Sequence, residues 1–359
     1  MGLDIKPQFR VVANDDDITA IITDRLKHIR VTDETGVTSD TLEIAIADHD
    51  PKARVKLPPT GAELQVWMGY DGNVRRMGLF ICDEIELAGP PDELIFRARA
   101  APYESSSAGK VDLQSQKTRS WSAGTTIGSM VQRIAGEHHL TPKTSASLAS
   151  IKLPHVDQAA ESDINLLVRL ARRYDAIAKP AGGFLLFVRR GDAQSATGAA
   201  LPRITLQPAD GNRHRVTIVT RDSPGTVVAF YRDVDAGVRH LVQVGTGQPV
   251  RRLRMQYSDA ASARSAATAE LRRRARHERT LSYSFPGRTD VMAECIVVMD
   301  GFREGVDGEW LVTCAEHYIG PDGYRCDITA EQPNSAETVE AVDSAPVSDV
   351  EDDSTLIGS

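Results

Sequence analysis

The sequence predicts a mainly β fold with an α+β insertion in the middle of the chain. Short alternating apolar runs separated by turns fill residues 1–105, and similar runs return from about residue 200. Between them lie two amphipathic helical patterns, at 124–140 and 162–175. Regular short strands with Gly and Pro between them are typical of small barrels or sandwiches.

The first third of the chain consists of strand-like runs. The runs are RLKHIRVTDE, TLEIAIAD, AELQVWMGY, GLFICDEIEL and ELIFRARA, and the turn clusters DHDPK, PPTG, YDGN and AGPPD separate them. Gly, Pro, Asn and Asp end strands because they favour the backbone conformations of turns. Residues 1–110 are therefore expected to form a first β-barrel domain.

Two helices and a hairpin define the middle segment. In ESDINLLVRLARRYD, Ser162 can accept hydrogen bonds at a helix N-terminus, where the charge of Asp163 is also favourable. In AIAKPAGGFLLFVRR, Gly182–Gly183 predicts a hairpin turn. We expect residues 111–198 to form a small α+β domain.

The last third returns to strands, with one long helix among them. The segment DAASARSAATAELRRRARHER at 259–279 carries Ala263, Ala267, Leu271 and Ala275 on one stripe. Such small side chains would let this helix lie close to a sheet. Residues 199–335 are therefore expected to form a second β-barrel domain that carries the long Ala/Arg helix.

The net charge of −8 belongs to the C-terminal end of the chain. Residues 336–359 contain seven carboxylates and no Lys or Arg, so the rest of the chain is close to neutral. An acidic segment without aromatic residues buries too little apolar surface to fold alone. We expect 336–359 to be an acidic disordered tail.

The four cysteines form no metal or redox motif. They are Cys82, Cys295, Cys314 and Cys326, all in apolar runs and none in a Cys-x-x-Cys pair, and we interpret them as buried thiols.

No apolar run approaches the roughly 20 residues of a membrane span, and the N-terminus lacks a secretory pattern. The sequence therefore predicts a soluble protein with no membrane anchor.

A shift of 231 residues indicates an internal repeat. It pairs Ala62–Glu63 with Ala293–Glu294 and Gly89–Pro90 with Gly320–Pro321, and the order of strands and turns matches as well. Seven identities over 41 positions is only modestly more than composition gives by accident. Two explanations stay open, which are two related barrels or the general similarity of β-meanders.

His317 is the most conspicuous candidate for chemistry. Alternation along WLVTCAEHYI puts it on the strand face opposite Cys314, which disfavours a shared metal and favours a hydrogen-bonded structural histidine. No zinc-protease, nucleophile-elbow or phosphate-loop motif occurs elsewhere. The sequence therefore predicts no catalytic, cofactor-binding or metal-binding residues.

The long helix carries a basic cluster with two interpretations. Its members are Arg264, Arg272, Arg273, Arg274 and Arg276. Nucleic-acid binding is one interpretation, but no aromatic residues are interleaved for base stacking and the body is neutral. We favour a structural or subunit-interface role, with the cluster facing outward or an adjacent subunit.

The order of motifs in the last third is similar to one phage family. The motif residues are Phe285, Pro286, Gly287, Gly301, Phe302, Asp307, Gly308, Trp310, His317, Gly323 and Tyr324. With the Ala/Arg helix before them and ESDINLLVRLARRYDA earlier, they resemble the late-control D family of contractile-tail baseplate hub proteins. This family is itself similar to the N-terminal part of VgrG spike proteins. The resemblance covers about residues 5–333.

The resemblance implies a homotrimer with two tube-type barrels in each chain. Such a hub would join the hexameric tail tube protein to the trimeric spike protein, because three chains with two similar units each imitate six-fold symmetry. It implies contacts with other baseplate proteins and genomic DNA that passes through without specific binding. It also implies a place in the virion tail baseplate after assembly in the host cytoplasm, and no enzymatic role or cofactor.

Two alternatives stay open at the level of sequence. A VgrG-like hub of a secretion system or a headless tail-derived particle would share the fold, although no long Gly-rich β-helical repeat follows here. A baseplate-associated cell-wall hydrolase is less favoured, because no muramidase-like segment is evident.

Overall fold

A computed structural model describes residues 6–36, 39–50, 52, 54–59, 61–102, 113–191, 200–219, 225–233 and 236–333, and the backbone of 341–347. Within these ranges the chain forms a 13-stranded sheet, three smaller sheets and five α-helices. The predicted mainly β class with an α+β insertion is confirmed.

The first part of the chain forms one curved, antiparallel half of the large sheet. Its elements are β1 (Pro7–Ala13), β2 (Asp16–Asp17), α1 (Thr19–Thr23), β3 (Leu26–Glu34), β4 (Thr41–Ala47), β5 (Glu63–Tyr70), β6 (Asn73–Ala88) and β7 (Glu93–Ala100). The strands pair in the order β3-β4-β7-β6-β5-β1-β2. Alternate side chains, among them Ile44, Val66 and Phe80, point to one face and form the first core.

The middle part is the α+β unit. Its elements are β8 (Gln116–Trp121), α2 (Ile127–Glu137), β9 (Thr141–Thr144), α3 (Ala146–Ala149), β10 (Val156–Ser162), α4 (Asp163–Arg173), β11 (Ala176–Ala181) and β12 (Phe184–Arg189). As predicted, the Ser162 hydroxyl caps α4 by accepting a hydrogen bond from the backbone N–H of Asn165. The helices α2 and α4 bury their apolar stripes in a core of their own, distinct from the core of the first part of the chain.

The last part carries the second half of the large sheet and an inserted smaller sheet. Its elements are β13 (Arg203–Leu206), β14 (Arg213–Ile218), β15 (Thr226–Asp233), β16 (Val238–Gly245), β17 (Val250–Tyr257), α5 (Ala260–His277), β18 (Arg279–Pro286), β19 (Ile296–Met299), β20 (Gly308–Gly320), β21 (Gly323–Glu331) and β22 (Ala341–Val347). Trp310, Phe285 and Val297 are among the residues of its core.

The two halves of the large sheet have the same strand order. The second half runs β14-β18-β21-β20-β19-β13, which matches β3-β4-β7-β6-β5-β1 element by element. One pairing differs, because β13 is parallel to β19 whereas β1 is antiparallel to β5. A shared strand order supports an internal duplication over a chance similarity of meanders.

The duplication also aligns individual residues, although not with one constant shift. Corresponding rows of paired residues cross four strands of each half. They are Val31–Leu42–Ala98–Cys82 in the first half and Val216–Leu281–Ala330–Val312 in the second. The residue after Cys82 and the residue after Val312 both lie at a β-bulge. Because the matching strands are offset by different amounts, from 185 residues between Val31 and Val216 to 239 between Leu42 and Leu281, the identities at a shift of 231 mark equivalent elements rather than equivalent residues.

The two halves are joined into one continuous sheet. The second part of β20, from Cys314 to Ile319, pairs antiparallel with β3. Among the described residues no pairing connects β3 to β1, or β14 to β13, so the closure of each half into a barrel stays a prediction. The first and the third predicted domains therefore share one hydrogen-bonded sheet through β3 and β20.

The inserted sheet has the order β17-β15-β16-β22 and is covered by α5. Ala263 and Ala267 are fully buried against it and Leu271 is partly buried, as the predicted stripe requires. The prediction is wrong for Ala275, which is exposed. The inward position near the end of the helix is taken by Arg276, whose charge is balanced by buried carboxylates.

The acidic C-terminal segment is not disordered throughout. The backbone of Ala341–Val347 forms β22, which pairs antiparallel with β16. The prediction of a disordered tail is therefore wrong for these seven residues, because β16 offers an open sheet edge to pair with. The rest of 336–359 lies outside the described residues. None of the described helices combines the length and the apolar composition that a membrane crossing would need.

Candidate functional site

His317 lies in the wall of the second core. The Tyr324 hydroxyl lies 2.9 Å from its Nδ1, and its Nε2 lies 3.1 Å from the Val291 carbonyl oxygen. Burial lowers the pKa of His317 to about 4, so the ring is neutral near pH 7. A neutral ring can donate from Nε2 to the carbonyl and accept the Tyr324 proton at Nδ1. These contacts match the predicted structural histidine.

The cysteines are free, and three of them are fully buried. Cys82, Cys295 and Cys326 are buried and Cys314 is half-buried on the opposite face of β20 from His317. Burial raises the pKa of Cys295 to about 11, so this thiol is protonated at neutral pH. The arrangement fits the predicted inert thiols, with Cys314 more accessible than expected.

The Phe-Pro-Gly and Gly-Tyr motifs meet in space. A Cβ atom on Gly287 would lie only 2.2 Å from the Tyr324 ring, so this position requires glycine. The Tyr324 ring also packs at a tilt against Tyr70 of the first half, whose hydroxyl donates to the Tyr324 carbonyl oxygen at 3.2 Å. These motif residues therefore hold the two halves of the large sheet together.

The remaining motif residues build the turn between β19 and β20. The Asp307 carboxylate accepts a hydrogen bond from the Phe302 N–H at 2.8 Å, and the Trp310 indole donates to the Val306 carbonyl at 2.8 Å. Gly301 and Gly308 have positive φ angles of 78° and 120°, which glycine adopts readily. The structure gives this group a local folding role.

The arginine cluster of α5 divides into two sets. Arg276 is only 2% exposed and points inward, so its prediction as a subunit-interface residue is wrong. Arg273 and Arg274 pair with Glu270 on the same helix, at 2.7 and 2.8 Å. Arg264 and Arg273 are exposed, in agreement with the predicted outward orientation.

Arg276 belongs to a buried ion-pair junction that the sequence did not predict. Its guanidinium donates two hydrogen bonds to Asp175 after α4, at 2.5 and 2.8 Å, and lies 3.0 Å from Glu331 at the end of β21. Arg190 after β12 also pairs with Glu331, at 3.1 Å. The junction thus links the middle unit, α5 and the large sheet. These four residues are far apart in sequence, and no local sequence pattern predicts that they meet.

A second polar contact joins the middle unit to the first half of the sheet. The Lys179 ammonium on β11 lies 3.4 Å from the Asp40 carboxylate and 3.7 Å from that of Asp33. Burial raises the pKa of Asp40 to about 6. Burial also raises the pKa of nearby Glu294 to about 7, although the Gly191 N–H donates to its carboxylate at 3.0 Å. This interface therefore contains carboxyl groups that titrate close to neutral pH.

One group of side chains has the spacing of metal ligands. Ligand atoms of Glu137, His138 and Asp163 all lie within 4.8 Å of one another. Lys117 and Arg119, however, donate to the Asp163 carboxylate at 2.6 and 2.7 Å. Two resident cations leave this carboxylate little capacity to attract a third.

The charge of Asp163 is a structural feature of the α4 N-terminus. Burial alone would raise its pKa, but hydrogen bonds from Lys117, Gln158 and His138 lower the pKa of Asp163 to about 2. The carboxylate is therefore ionised at all ordinary pH values and fixes β8 and β10 to the start of α4. The sequence indicated Asp163 as a favourable first-turn charge but gave no sign of its partners.

Among the described residues, two edges of the large sheet lie open, at β14 and at the second part of β6. The edge strand β14 has no partner on its outer side, and the second part of β6 pairs only with β7 among the described residues. Leu87 on β6 is 67% exposed and Ile218 on β14 is 53% exposed. An open edge with exposed apolar side chains is a place where another strand can add. No sequence pattern predicts this pair of edges.

The side of the large sheet opposite the cores is polar, and Arg30 and Arg97 in its middle are paired with carboxylates. We call this side, from β14 through β20 and β3 to β6, the polar face. Arg97 pairs with Glu43, Glu84 and Glu86 at 2.5–3.0 Å. Arg30 lies 3.3 Å from Glu43 and 3.4 Å from Glu316. These pairs place positive and negative charges next to each other across the strands.

Relatives of the whole chain come from tailed phages. The family model described as phage tail baseplate hub (GPD) matches residues 41–323. The chain is 31% identical to the probable baseplate hub protein of Escherichia phage 186, over 92% of this chain and 94% of that protein. It is 30% identical to the probable baseplate hub protein of Escherichia phage P2, with the same coverage.

Solved structures share the fold at much lower identity. The 43 kDa tail protein of prophage MuSo2 from Shewanella oneidensis matches 91% of this chain and 99% of that one, with a TM-score of 0.65 and 13% identity. The tail protein from Neisseria meningitidis MC58 matches 91% and 97%, with a TM-score of 0.66 and 12% identity. The fold is therefore that of phage tail proteins.

These findings first define the class, a structural protein of a phage tail. More particularly, the chain belongs to the phage tail baseplate hub (GPD) family, and its function is that of a baseplate hub protein. The resemblance inferred from the motif order is thereby confirmed.

Proposed function

We propose that the chain acts in the baseplate as a homotrimer, closed by pairing of β6 in one copy with β14 in the next. The observation that supports this most is the internal duplication. Within the chain, the second part of β20 pairs with β3. The equivalent strands are β6 and β14, and both are open at the matching edge.

The register of the proposed pairing follows from the pairings within the chain. His317 lies opposite Val31 across β20 and β3. Five residues separate Val312 from His317 and Cys82 from Leu87, so Leu87 is the equivalent of His317, and Val216 is the equivalent of Val31. Leu87 would therefore face Val216 of a second copy, and Glu86 would face Thr217. The contact would cover the exposed apolar residues at both edges.

Closure in this way would form a ring with the polar face inside. Each chain supplies a band of eight strands, from β14 to β6 in sheet order. Three bands would make a ring roughly 45–50 Å across, from strand spacings of about 4.8 Å and tilts of about 40°. That width leaves room for a nucleic-acid duplex. Because the cores lie on the opposite side of the sheet, they would form the outside of the ring.

The proposed conduit would not bind DNA tightly. Retention of DNA grows with the number of phosphates that unpaired Lys and Arg side chains neutralise. On the polar face Arg30 and Arg97 already pair with Glu43, and Arg97 pairs with two further glutamates. This pairing removes free positive charge from β3 and β7 and supports a passage for the genome without specific binding. Arg213 and Arg215 of β14 lie on the same face and have no carboxylate partner among the described residues. The α5 helix with its exposed arginines packs on the inserted sheet.

The symmetry of the proposed ring suits two kinds of partner. Six similar units around the ring would match the hexameric tail tube protein on one side, and three chains would match a trimeric spike protein on the other.

We also propose that the chain is not an enzyme. The buried, neutral and doubly hydrogen-bonded His317 supports this, as does the family of structural baseplate proteins to which the chain belongs.

Sedimentation of the purified chain tests the proposed trimer. We expect a particle of three 39.1 kDa chains. Leu87→Lys should reduce the mass to that of one chain, because a charge would be buried at the paired edge. Ile21→Lys, on an apolar residue of α1 that is 56% exposed, should leave the mass unchanged. A monomer at all concentrations, or equal behaviour of the two variants, would contradict the proposal.

A further inference from the structure

A basic groove lies where the middle unit meets the inserted sheet. The C-terminal end of α4, β17 and α5 enclose about 720 Å³. We call it the arginine groove, because its lining includes Arg169, Arg172, Arg173, Arg190, Arg273 and Arg276. Only two carboxylates, Asp175 and Glu270, are among the lining residues. The groove therefore carries an excess of positive charge.

Two of these arginines have no acidic partner among the described residues. The groove carboxylates are already engaged, since Asp175 accepts from Arg276 and Glu270 from Arg273. Arg173 lies over the Tyr257 ring at 5.5 Å, and Arg172 next to it lacks a carboxylate partner in the described part of the chain. Arg172 and Arg173 are thus available to an anionic ligand with several charges.

The last strand of the chain ends near this groove. Val347, the final residue of β22, lies opposite Arg239 of β16, which in turn lies opposite Arg232 of β15. The neighbouring position on β15, Tyr231, pairs with Tyr257 of β17 in the groove lining. Val347 is therefore at the same end of the inserted sheet as Tyr257. The two are three strand spacings apart, or about 14 Å.

We propose that residues 348–359 of the same chain bind in the arginine groove. This segment carries Asp349, Glu351, Asp352 and Asp353 and no basic residue. Glu351 and Asp353 follow Val347 by four and six residues, a reach of roughly 13–20 Å in an extended chain. Both the charge and the length therefore match the groove. Arginine forks bind carboxylates with paired hydrogen bonds, which suits this contact.

The bound segment would keep a basic surface away from other polyanions. Arginines without acidic partners attract nucleic acids and other polyanions, and each phosphate that they neutralise strengthens the binding. Carboxylates supplied by the same chain compete at high local concentration, because the connection to β22 is short. The segment thus acts as an internal occupant of the groove. This role does not depend on trimer formation.

A peptide-binding experiment tests the proposal. The probe is a fluorescent peptide of residues 348–359, added to the chain truncated after Val347, which keeps β22 intact. We expect binding that weakens at least tenfold between 50 and 500 mM NaCl, roughly as for other multi-charge contacts. Full-length protein should bind the peptide at least tenfold more weakly, because its own segment fills the groove.

Charge-reversed variants of the truncated chain locate the binding site. Arg172→Glu with Arg173→Glu should abolish peptide binding. Arg264→Glu with Arg272→Glu, on α5 outside the groove lining, is the matched control and should bind normally. Circular dichroism of both variants shows that they are folded.

Four results would overturn the proposal. The truncated chain could fail to bind the peptide, or both double variants could lose binding equally. Full-length protein could also bind the peptide as tightly as the truncated chain does. If full-length protein excludes the peptide only at concentrations where chains associate, the occupant is the segment of a second copy, and the assignment to the same chain is wrong.

Discussion

Gly287 shows how a single residue can hold two distant segments together. A Cβ at this position would meet the Tyr324 ring at 2.2 Å, and the Tyr324 backbone carbonyl accepts the Gly287 N–H at 2.9 Å. We predict that Gly287→Ala destabilises the folded chain by about 1–3 kcal/mol, because the ring must move within a packed core. Urea unfolding followed by fluorescence measures the change.

Gly136 provides the control for this prediction. It lies in α2, has ordinary helical geometry, and a Cβ there would meet no atom within 4 Å. Gly136→Ala should be neutral or stabilise the chain by up to about 1 kcal/mol, since alanine favours helix. If both substitutions lowered the free energy of unfolding equally, the close approach of Gly287 to the Tyr324 ring would not explain the effect.

At the residue scale, local chemistry was predictable and remote partners were not. The Ser162 cap and the orientation of His317 depend on neighbours a few residues away, and both agree with the sequence prediction. Arg276 was predicted to face outward with the rest of its cluster. It points inward because Asp175 and Glu331, from two other parts of the fold, balance its charge.

At the scale of elements, the contact between the middle unit and the large sheet should depend on pH. The pKa of Glu294 is raised from 4.5 to about 7 by burial, so its protonated form stabilises the fold. That stabilisation is present below about pH 4.5 and is lost as pH rises through 7. Arg190, Glu331 and Lys179 are the charged groups that act on Glu294 at this interface.

Glu294→Gln tests this dependence. The amide keeps the shape without the buried charge, so the variant should be more stable than the parent by about 2 kcal/mol at pH 8 and differ little at pH 5. Hydrogen exchange of β11 and β19 amides would report the change locally. Glu304→Gln, on an exposed side chain of the turn between β19 and β20, is the control substitution. A destabilised Glu294→Gln variant at pH 8 would refute the assignment.

Most strands and helices could be predicted from hydrophobic periodicity, whereas the pairing between strands could not. Alternation identified β3 to β7 and β18 to β21, and helical spacing identified α2, α4 and α5. The shift of 231 residues pointed to a repeat of meanders. It did not show that β20 pairs with β3, because nothing local to either strand specifies a partner nearly 300 positions away.

At the scale of the whole molecule, the motif order led to the correct family. The continuous sheet adds a physical basis for assembly that the sequence did not supply. The edges of β6 and β14 are equivalent to the paired edges of β20 and β3, but neither has a partner strand among the described residues of one chain. The edge of β16, in contrast, finds a partner within the same chain. Part of the acidic C-terminal segment pairs with it as β22.

Disulfide trapping of the proposed ring tests the central claim most directly. Cysteines at Glu86→Cys and Thr217→Cys would face each other between neighbouring copies, at the Cα spacing of about 4.5–5.5 Å that antiparallel pairs share with disulfides. Glu86→Cys with Arg213→Cys, four residues away along β14, is the off-register control. We predict that mild oxidation of the first variant gives products that end at three linked chains. No cross-link, equal cross-linking of the control, or a ladder that continues beyond three chains would contradict a closed trimer.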